Sequence, residues 1–124
     1  MEELINSKEE WREINNTNGR YWISSYGKVK SVINGKERLL RSIVNNKGYL
    51  RTKIKIKNSW MFVLNHKLVA DVFLDHPTNS EDYVIHHIDL NPLNNSVSNL
   101  MYMTREDHIK LHKEIRNGTN TKNK

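Results

Sequence analysis

Four of the six histidines fall between residues 86 and 112: the doublet His86-His87, then His108 and His112. Imidazoles four residues apart on a helix share one face and can hold a single metal ion. A third imidazole arriving from an upstream strand would complete a three-nitrogen site with one position left open. Adjacent residues on a strand point to opposite sides, so His86 and His87 cannot both face that helix. The labour divides accordingly. His86 joins His108 and His112 as a ligand, and His87 turns toward a water molecule as general base. Phosphodiester hydrolysis at neutral pH needs such a base, a cation to stabilise charge on the phosphorane and the departing 3′-oxygen, and something to fix the base's tautomer. An asparagine or backbone carbonyl on the far nitrogen of His87 would do the last.

The elements that must position these groups follow from the surrounding pattern. Tyr83–His87 reads as a strand, Ile88 to Ser98 as a polar loop with a single proline, and Leu100–Met103 as a return strand. Thr104-Arg105-Glu106-Asp107 has the Ser/Thr-x-x-acid form of a helix start. The helix then carries His108, Ile109, Leu111, His112 and Ile115 before breaking at Asn117-Gly118. Strand, loop, strand and helix make a ββα unit. Asp89, Asn91, Asn94 and Asn95 are expected to shape the loop through side-chain-to-backbone bonds, with Asp89 or Asn95 available to brace the site.

Upstream, charge is the strongest signal. Residues 21–60 hold ten basic side chains and one acid, Glu37, whereas residues 1–20 and 61–124 are each slightly acidic. Such segregation is the electrostatic footprint of nucleic-acid binding. Trp11 and Ile14 anchor a lead-in, Tyr21–Ser25 and Lys28–Val32 read as a hairpin, and Asn34-Gly35 is a tight turn. Leu39–Val44 is expected to be a further short strand. Tyr49–Lys57 alternates cleanly, with Arg51, Lys53, Lys55 and Lys57 on one face and Leu50, Thr52, Ile54 and Ile56 on the other. Lys28, Lys30 and Arg41 with that row form the expected DNA contact. The plainer account of the row is a solvated or edge-protecting face. Trp60–Leu74 has helical spacing at Val63, Leu68, Val69, Val72 and Phe73, with Asn65 as its cap and His66 exposed. Tyr49 and Trp60 are expected in the core, with contact to sugar or base as the alternative, and His76 lies in a turn without a nameable partner.

The chain of 124 residues has no cysteine, no apolar run that could span a bilayer and no signal-peptide pattern at its start. The expectation is a cysteine-independent fold in a reducing intracellular setting, without membrane contact. The expected organisation is α+β: a basic antiparallel-sheet module over 1–60, a connecting helix and linker over 61–80, a ββα module over 81–116, and a disordered polar tail over 117–124.

The run His86-His87-Ile88-Asp89, Asn94-Asn95, Asn99-Leu100, His108 and His112 resembles the HNH (ββα-metal) nuclease family. The resemblance implies that His86 and His108 are metal ligands, that His87 is the general base, that Asn99 orients the base, and that His112 is the additional ligand of the colicin-type branch. Upstream, Glu10–Ile14, Tyr21–Ser31, Gly48-Tyr49 and His66–Ala70 resemble the N-terminal DNA-binding module of intron- and phage-encoded HNH homing endonucleases. Together these imply a single-metal endonuclease on double-stranded DNA, leaving 5′-phosphate and 3′-hydroxyl ends, commonly as a nick. Homing relatives often carry Asp at the position of His86 and Asn at that of His108. Three imidazoles suit Zn, Ni, Co or Mn better than Mg, so the ion stays open among Mg, Mn, Zn and Ni. Longer homing enzymes carry a further helical DNA-reading element after the nuclease core, whereas about a dozen residues follow His112. This gives the expectation of a shorter or looser recognition site; a monomer is expected. The competing readings are a DNA-binding protein whose metal is structural, and a non-specific toxin or defence nuclease, which would lack the basic sheet.

Overall fold

Residues that accept left-handed backbone set where the first half of the chain reverses. The computed structural model describes residues 8–78 and 82–117. Positive φ angles at Gly27 (90°), at Asn34 and Gly35 (52° and 77°) and at Lys57 and Asn58 (52° and 67°) turn successive hairpins. Glycine and asparagine tolerate that conformation best. Strands β1 (Trp11–Glu13), β2 (Tyr21–Ser24), β3 (Val29–Ile33) and β4 (Lys36–Leu39) pair in chain order as one antiparallel sheet. Strands β5 (Ser42–Val44), β6 (Leu50–Ile56) and β7 (Ser59–Leu64) make a second. Helix α1 (Asn65–Phe73) leads to a third, two-stranded sheet of β8 (Tyr83–His87) and β9 (Leu100–Thr104), and α2 (Arg105–Asn117) closes the fold. The class is α+β, with an N-terminal antiparallel-sheet region, a connecting helix and a C-terminal ββα unit.

α1 is the keel of the molecule. It packs against β2, β6 and β7 of the N-terminal sheets and also against β8 and β9 of the C-terminal pair. One apolar cluster runs through it: Ile14, Tyr21, Ile23 and Val29 from the first sheet, Ile54 from the second, Val69 from α1 and Leu100 from β9. Each fully buried aliphatic side chain of this kind stabilises a fold by about 1.5–3 kcal/mol. Both halves therefore depend on one core.

A buried polar knot reinforces the junction. Thr52 Oγ1 donates to Asn65 Oδ1 (2.8 Å), while Asn65 Nδ2 donates to the Gly27 carbonyl and to Ser42 Oγ, each at 2.9 Å. Asn65 is thus not the helix cap. Leu64 holds that position without a side-chain cap bond, and Asn65 is the first helical residue, spent on joining three elements.

Several expectations are corrected. Helical spacing from Trp60 is broken because Lys57-Asn58 returns the chain, so residues 59–64 extend the second sheet and the helix begins at Asn65. The module boundary expected at residue 60 consequently falls inside β7. Leu39–Val44 is split between β4 and β5, which belong to different sheets. Trp60 is 58% exposed rather than core, and His66 is 7% exposed rather than superficial. His76 does have partners, since its Nε2 lies 3.3 Å from Asp71 Oδ1 and its Nδ1 lies 3.4 Å from the Tyr102 hydroxyl. The expected tail overlaps α2 at residue 117 and otherwise lies outside the described residues.

Candidate active site

β8 presents its last two residues to opposite sides of the two-stranded sheet. His86 lies opposite Met101 and His87 opposite Leu100 in the ladder, and alternation along the strand sends the two rings apart. The His86 ring faces α2, 5.4 Å from His108 and 6.3 Å from His112 between centroids. His108 and His112 are successive-turn neighbours, 4.4 Å apart. One nitrogen from each of the three can be chosen so that all lie within 4.8 Å of one another. Thr104 sets the helix start, accepting the Asp107 amide at Oγ1 (3.1 Å), so the cap stands about one turn before His108.

His87 meets a different set of groups. Its Nε2–H donates to Asn95 Oδ1 at 2.7 Å, a buried bond. Because an amide oxygen only accepts, this fixes the Nε2–H tautomer and leaves the lone pair on Nδ1. The ring is flanked by His66 of α1 (5.2 Å between centroids, edge-on) and by Tyr49 (6.0 Å, stacked). His86, His87, His108 and His112 line one open cleft of about 610 Å³, whose rim includes Lys113 and Arg116 of α2. Two cations thus stand beside the histidines, Lys113 next to His112 and Arg116 one turn further on, where an anionic backbone would pass.

The electrostatics favour neutral imidazoles. Burial, and then the neighbouring His112 and His87, lower the pKa of His86. Burial, then His112 and His86, do the same for His108. His66 is pushed down to about 4 by burial, then by His87 and Lys67. Neutral rings are the form that ligates metal. Three nitrogens from a strand and a helix fit one divalent cation. Metal-bound imidazole nitrogens near 2.0–2.1 Å from an ion sit roughly 3.4 Å apart. Here His108 Nε2 and His112 Nε2 lie 3.1 Å apart, and one nitrogen from each of the three rings falls within 4.8 Å of the others. The donor set suits Zn, Ni, Co or Mn, while Mg prefers oxygen ligands.

The loop between β8 and β9 is braced from within. Asp89 Oδ1 accepts the Asn91 amide (2.8 Å) and Asn99 Nδ2 (2.9 Å), and Asp89 Oδ2 accepts Asn94 Nδ2 (2.8 Å). The Asn94 bond and then the Asn91 amide hold the Asp89 carboxyl below the usual range. Asn99 Oδ1 accepts the Asp89 amide and Asn99 Nδ2 also donates to the Asn94 carbonyl, both at 2.9 Å. The Asn99 side chain is therefore occupied with the loop, and the amide at His87 belongs to Asn95. The loop in turn leans on the N-terminal sheet. The Val97 amide donates to the Ser25 carbonyl (2.8 Å), and Gly27 approaches Asn95 so closely that a Cβ there would lie 2.7 Å from Asn95 Cβ. Spacing gave no sign of His66, Tyr49 or Gly27 at the site, because each arrives from a distant element. The resemblance quoted all three as motif residues without placing them there.

The sequence-derived DNA-contact residues separate into groups. Arg51, Lys53 and Lys55 share one face of β6, opposite buried Thr52 and Ile54. Lys57 lies in the turn that follows, and Lys28 and Arg41 are exposed between strands. Lys30 is already engaged, 3.0 Å from Glu37 Oε1 and 4.4 Å from the centre of the Trp11 ring.

A strand pair, a braced loop and a helix converging on histidines define a ββα-metal module of the HNH class, seated on an N-terminal sheet. Comparison with known proteins agrees. Residues 77–110 match the HNH endonuclease family model and residues 9–55 match the NUMOD4 motif. The chain thus carries an HNH endonuclease match in its C-terminal ββα unit and a NUMOD4 match in its N-terminal sheet region. It is 35% identical over 88 residues to H-N-H endonuclease F-TflII of Escherichia phage T5, covering 71% of this chain and 45% of that protein. An uncharacterized HNH endonuclease, L245, of Acanthamoeba polyphaga mimivirus is 29% identical over 99 residues, covering 80% of this chain and 29% of that protein. Among solved structures, the DNA-binding and cleaving HNH homing endonuclease I-HmuI aligns with a TM-score of 0.71 at 29% identity, covering 89% of this chain and 60% of that one. The chain thus spans less than half the length of the curated relatives it matches. Among the described residues, no helix is long and apolar enough to cross a membrane.

Proposed function

We propose that this chain is a DNA endonuclease that hydrolyses a phosphodiester bond in double-stranded DNA, nicking one strand and leaving 5′-phosphate and 3′-hydroxyl ends. The observation that carries the reading is the division across one peptide bond: His86 faces His108 and His112, while His87 faces Asn95. His86, His108 and His112 would hold one divalent cation, which when bound neutralises developing phosphate and leaving-oxygen charge. His87 Nδ1, free of the Asn95 bond, takes the proton from water in line with the scissile phosphorus. The resulting imidazolium keeps its Nε2–H on Asn95, so the ring does not rotate as charge appears. Asn99 positions this base indirectly, by fixing the loop residues that follow it. Lys113 and Arg116 steer the backbone into the cleft.

Arg51, Lys53 and Lys55 of β6, with Lys28, Arg41 and Lys57 around them, form the docking surface for the duplex. Lys30 contributes the least because Glu37 already neutralises it. The protein acts as a monomer inside the host cell of a phage or similar mobile element. A purely structural metal is a poorer reading. It would call for a fourth protein ligand to close the shell, and the nearest candidate, His87, points away.

The test is supercoiled plasmid incubated with the protein and Mg, Mn, Co, Ni or Zn supplied singly. The expected result is conversion to the nicked circle. His87→Ala abolishes it with metal affinity retained, and His108→Ala loses both. Cutting by His87→Ala at the parent's rate would overturn the mechanism.

A further inference from the structure

The outward face of β6 and β7 exposes two aromatic rings among cations, an arrangement that the hydrolytic site leaves unused. In the ladder Lys53 lies opposite Phe62 and Lys55 opposite Trp60, so these four share a face with Arg51. The reverse face carries buried Thr52 and Ile54, which pack toward the core. On the outer face Trp60 is 58% exposed and Phe62 46%. The Arg51 guanidinium sits 3.9 Å from the centre of the Phe62 ring. Lys53 and Lys55 reach Trp60 at 5.7 and 5.6 Å. Among the described residues no acidic side chain pairs with these three cations. Exposed rings lose the benefit of burial unless a partner covers them.

Charge selects the partner. Two copies of this face would bring six like charges together, which excludes self-association as the natural occupant. A polyanion with apolar edges fits both halves of the pattern. The major groove, about 12 Å wide, admits a two-stranded ribbon, whereas the minor groove, about 6 Å wide, does not. Within it the one apolar group on a base edge is the thymine 5-methyl. Trp60 and Phe62 are two residues apart on a strand, a separation of about 6.8 Å. Base pairs along one strand rise 3.4 Å each, so the two rings match positions two steps apart.

We propose that Trp60 and Phe62 are specificity-determining residues that seat against two thymine methyl groups, two base pairs apart, in the major groove, while Arg51, Lys53 and Lys55 hold the flanking phosphates. The inference rests on the DNA reading above and adds a sequence preference to it.

The experiment uses the full chain and a random duplex library, selected by binding in the presence of chelator so that no strand is cut. Enriched duplexes should carry two thymines two base pairs apart. Replacing either with deoxyuridine removes one methyl and should weaken binding about four-fold, as expected for one buried methyl group. Trp60→Ala should lose sensitivity to one replacement and Phe62→Ala to the other, with the salt slope of binding unchanged. Lys53→Gln and Lys55→Gln should each flatten that slope by about 0.9 while keeping the preference. The deoxyuridine arm uses the parent protein, so it stands whether or not a variant folds. Duplex binding indifferent to deoxyuridine and to both aromatic variants would overturn the proposal alone. Ring-dependent dimerisation, or ring-dependent binding to vesicles containing phosphatidylserine in place of DNA, would also overturn it. No duplex binding by the parent would instead overturn the DNA reading itself.

Discussion

The bond from His87 Nε2 to Asn95 Oδ1 sets which nitrogen of the proposed base is free, and one amide decides it. Removing that acceptor lets the ring rotate and change tautomer. Asn95→Ala should therefore lower single-turnover cleavage by about 10–100-fold, the usual cost of losing a group that orients a site residue. Metal affinity by calorimetry should stay unchanged, since His86, His108 and His112, the proposed ligands, lie on the other side of the sheet. Retained cleavage with Asn95→Ala would dismiss Asn95 as a positioning residue. His66, packed edge-on against the same ring, has a pH signature. Its folded pKa of about 4 lies below the 6.5 of an ordinary histidine, so between those values the unfolded chain binds more protons. Stability is then complete above about pH 6.5 and falls as pH drops toward 4. Urea unfolding across that window should show the loss, and His66→Phe should make the dependence shallower. An identical slope in the variant would show that His66 is not among its sources.

At the scale of elements, α2 and β6 were readable because each obeys its own period. His108 and His112 fall one turn apart whatever the helix packs on, and the Thr104 cap was visible as a sequence signature. Thr104→Ala removes the acceptor for the Asp107 amide and should cost about 1 kcal/mol of stability. Thermal unfolding measures this directly, and a melting temperature equal to the parent's would discount the cap. β7 is not legible as a strand from local pattern, because Trp60-Met61-Phe62-Val63-Leu64 is an unbroken apolar run that satisfies a strand or a buried helix equally. The deciding feature was the Lys57-Asn58 turn, whose left-handed backbone folds the run onto β6. Lysine does not announce that conformation in a sequence.

For the whole molecule, the two halves meet where a turn from the N-terminal sheet touches the loop that carries Asn95. Gly27 has a φ of 90°, and a Cβ there would sit 2.7 Å from Asn95 Cβ. Gly27→Ala should destabilise the fold by about 1–3 kcal/mol through backbone strain alone. It should also displace Asn95, so cleavage should fall further than DNA affinity. Urea unfolding beside paired cleavage and binding assays tests both parts, and equal losses of cleavage and binding would exclude the coupling. The modules inferred separately from sequence are thus parts of one body, because the apolar cluster and the Asn65 knot cross between them.

Local periodicity by itself determined the ββα unit, the opposed rings of His86 and His87, and the cationic face of β6, since each depends only on residues one turn or one pleat apart. Tertiary structure decided that Asn95 rather than Asn99 meets the His87 ring, that His66 and Tyr49 wall it, and that Gly27 supports it. These contacts join segments far apart in the chain, and the packing that creates them leaves no repeating trace in the order of residues.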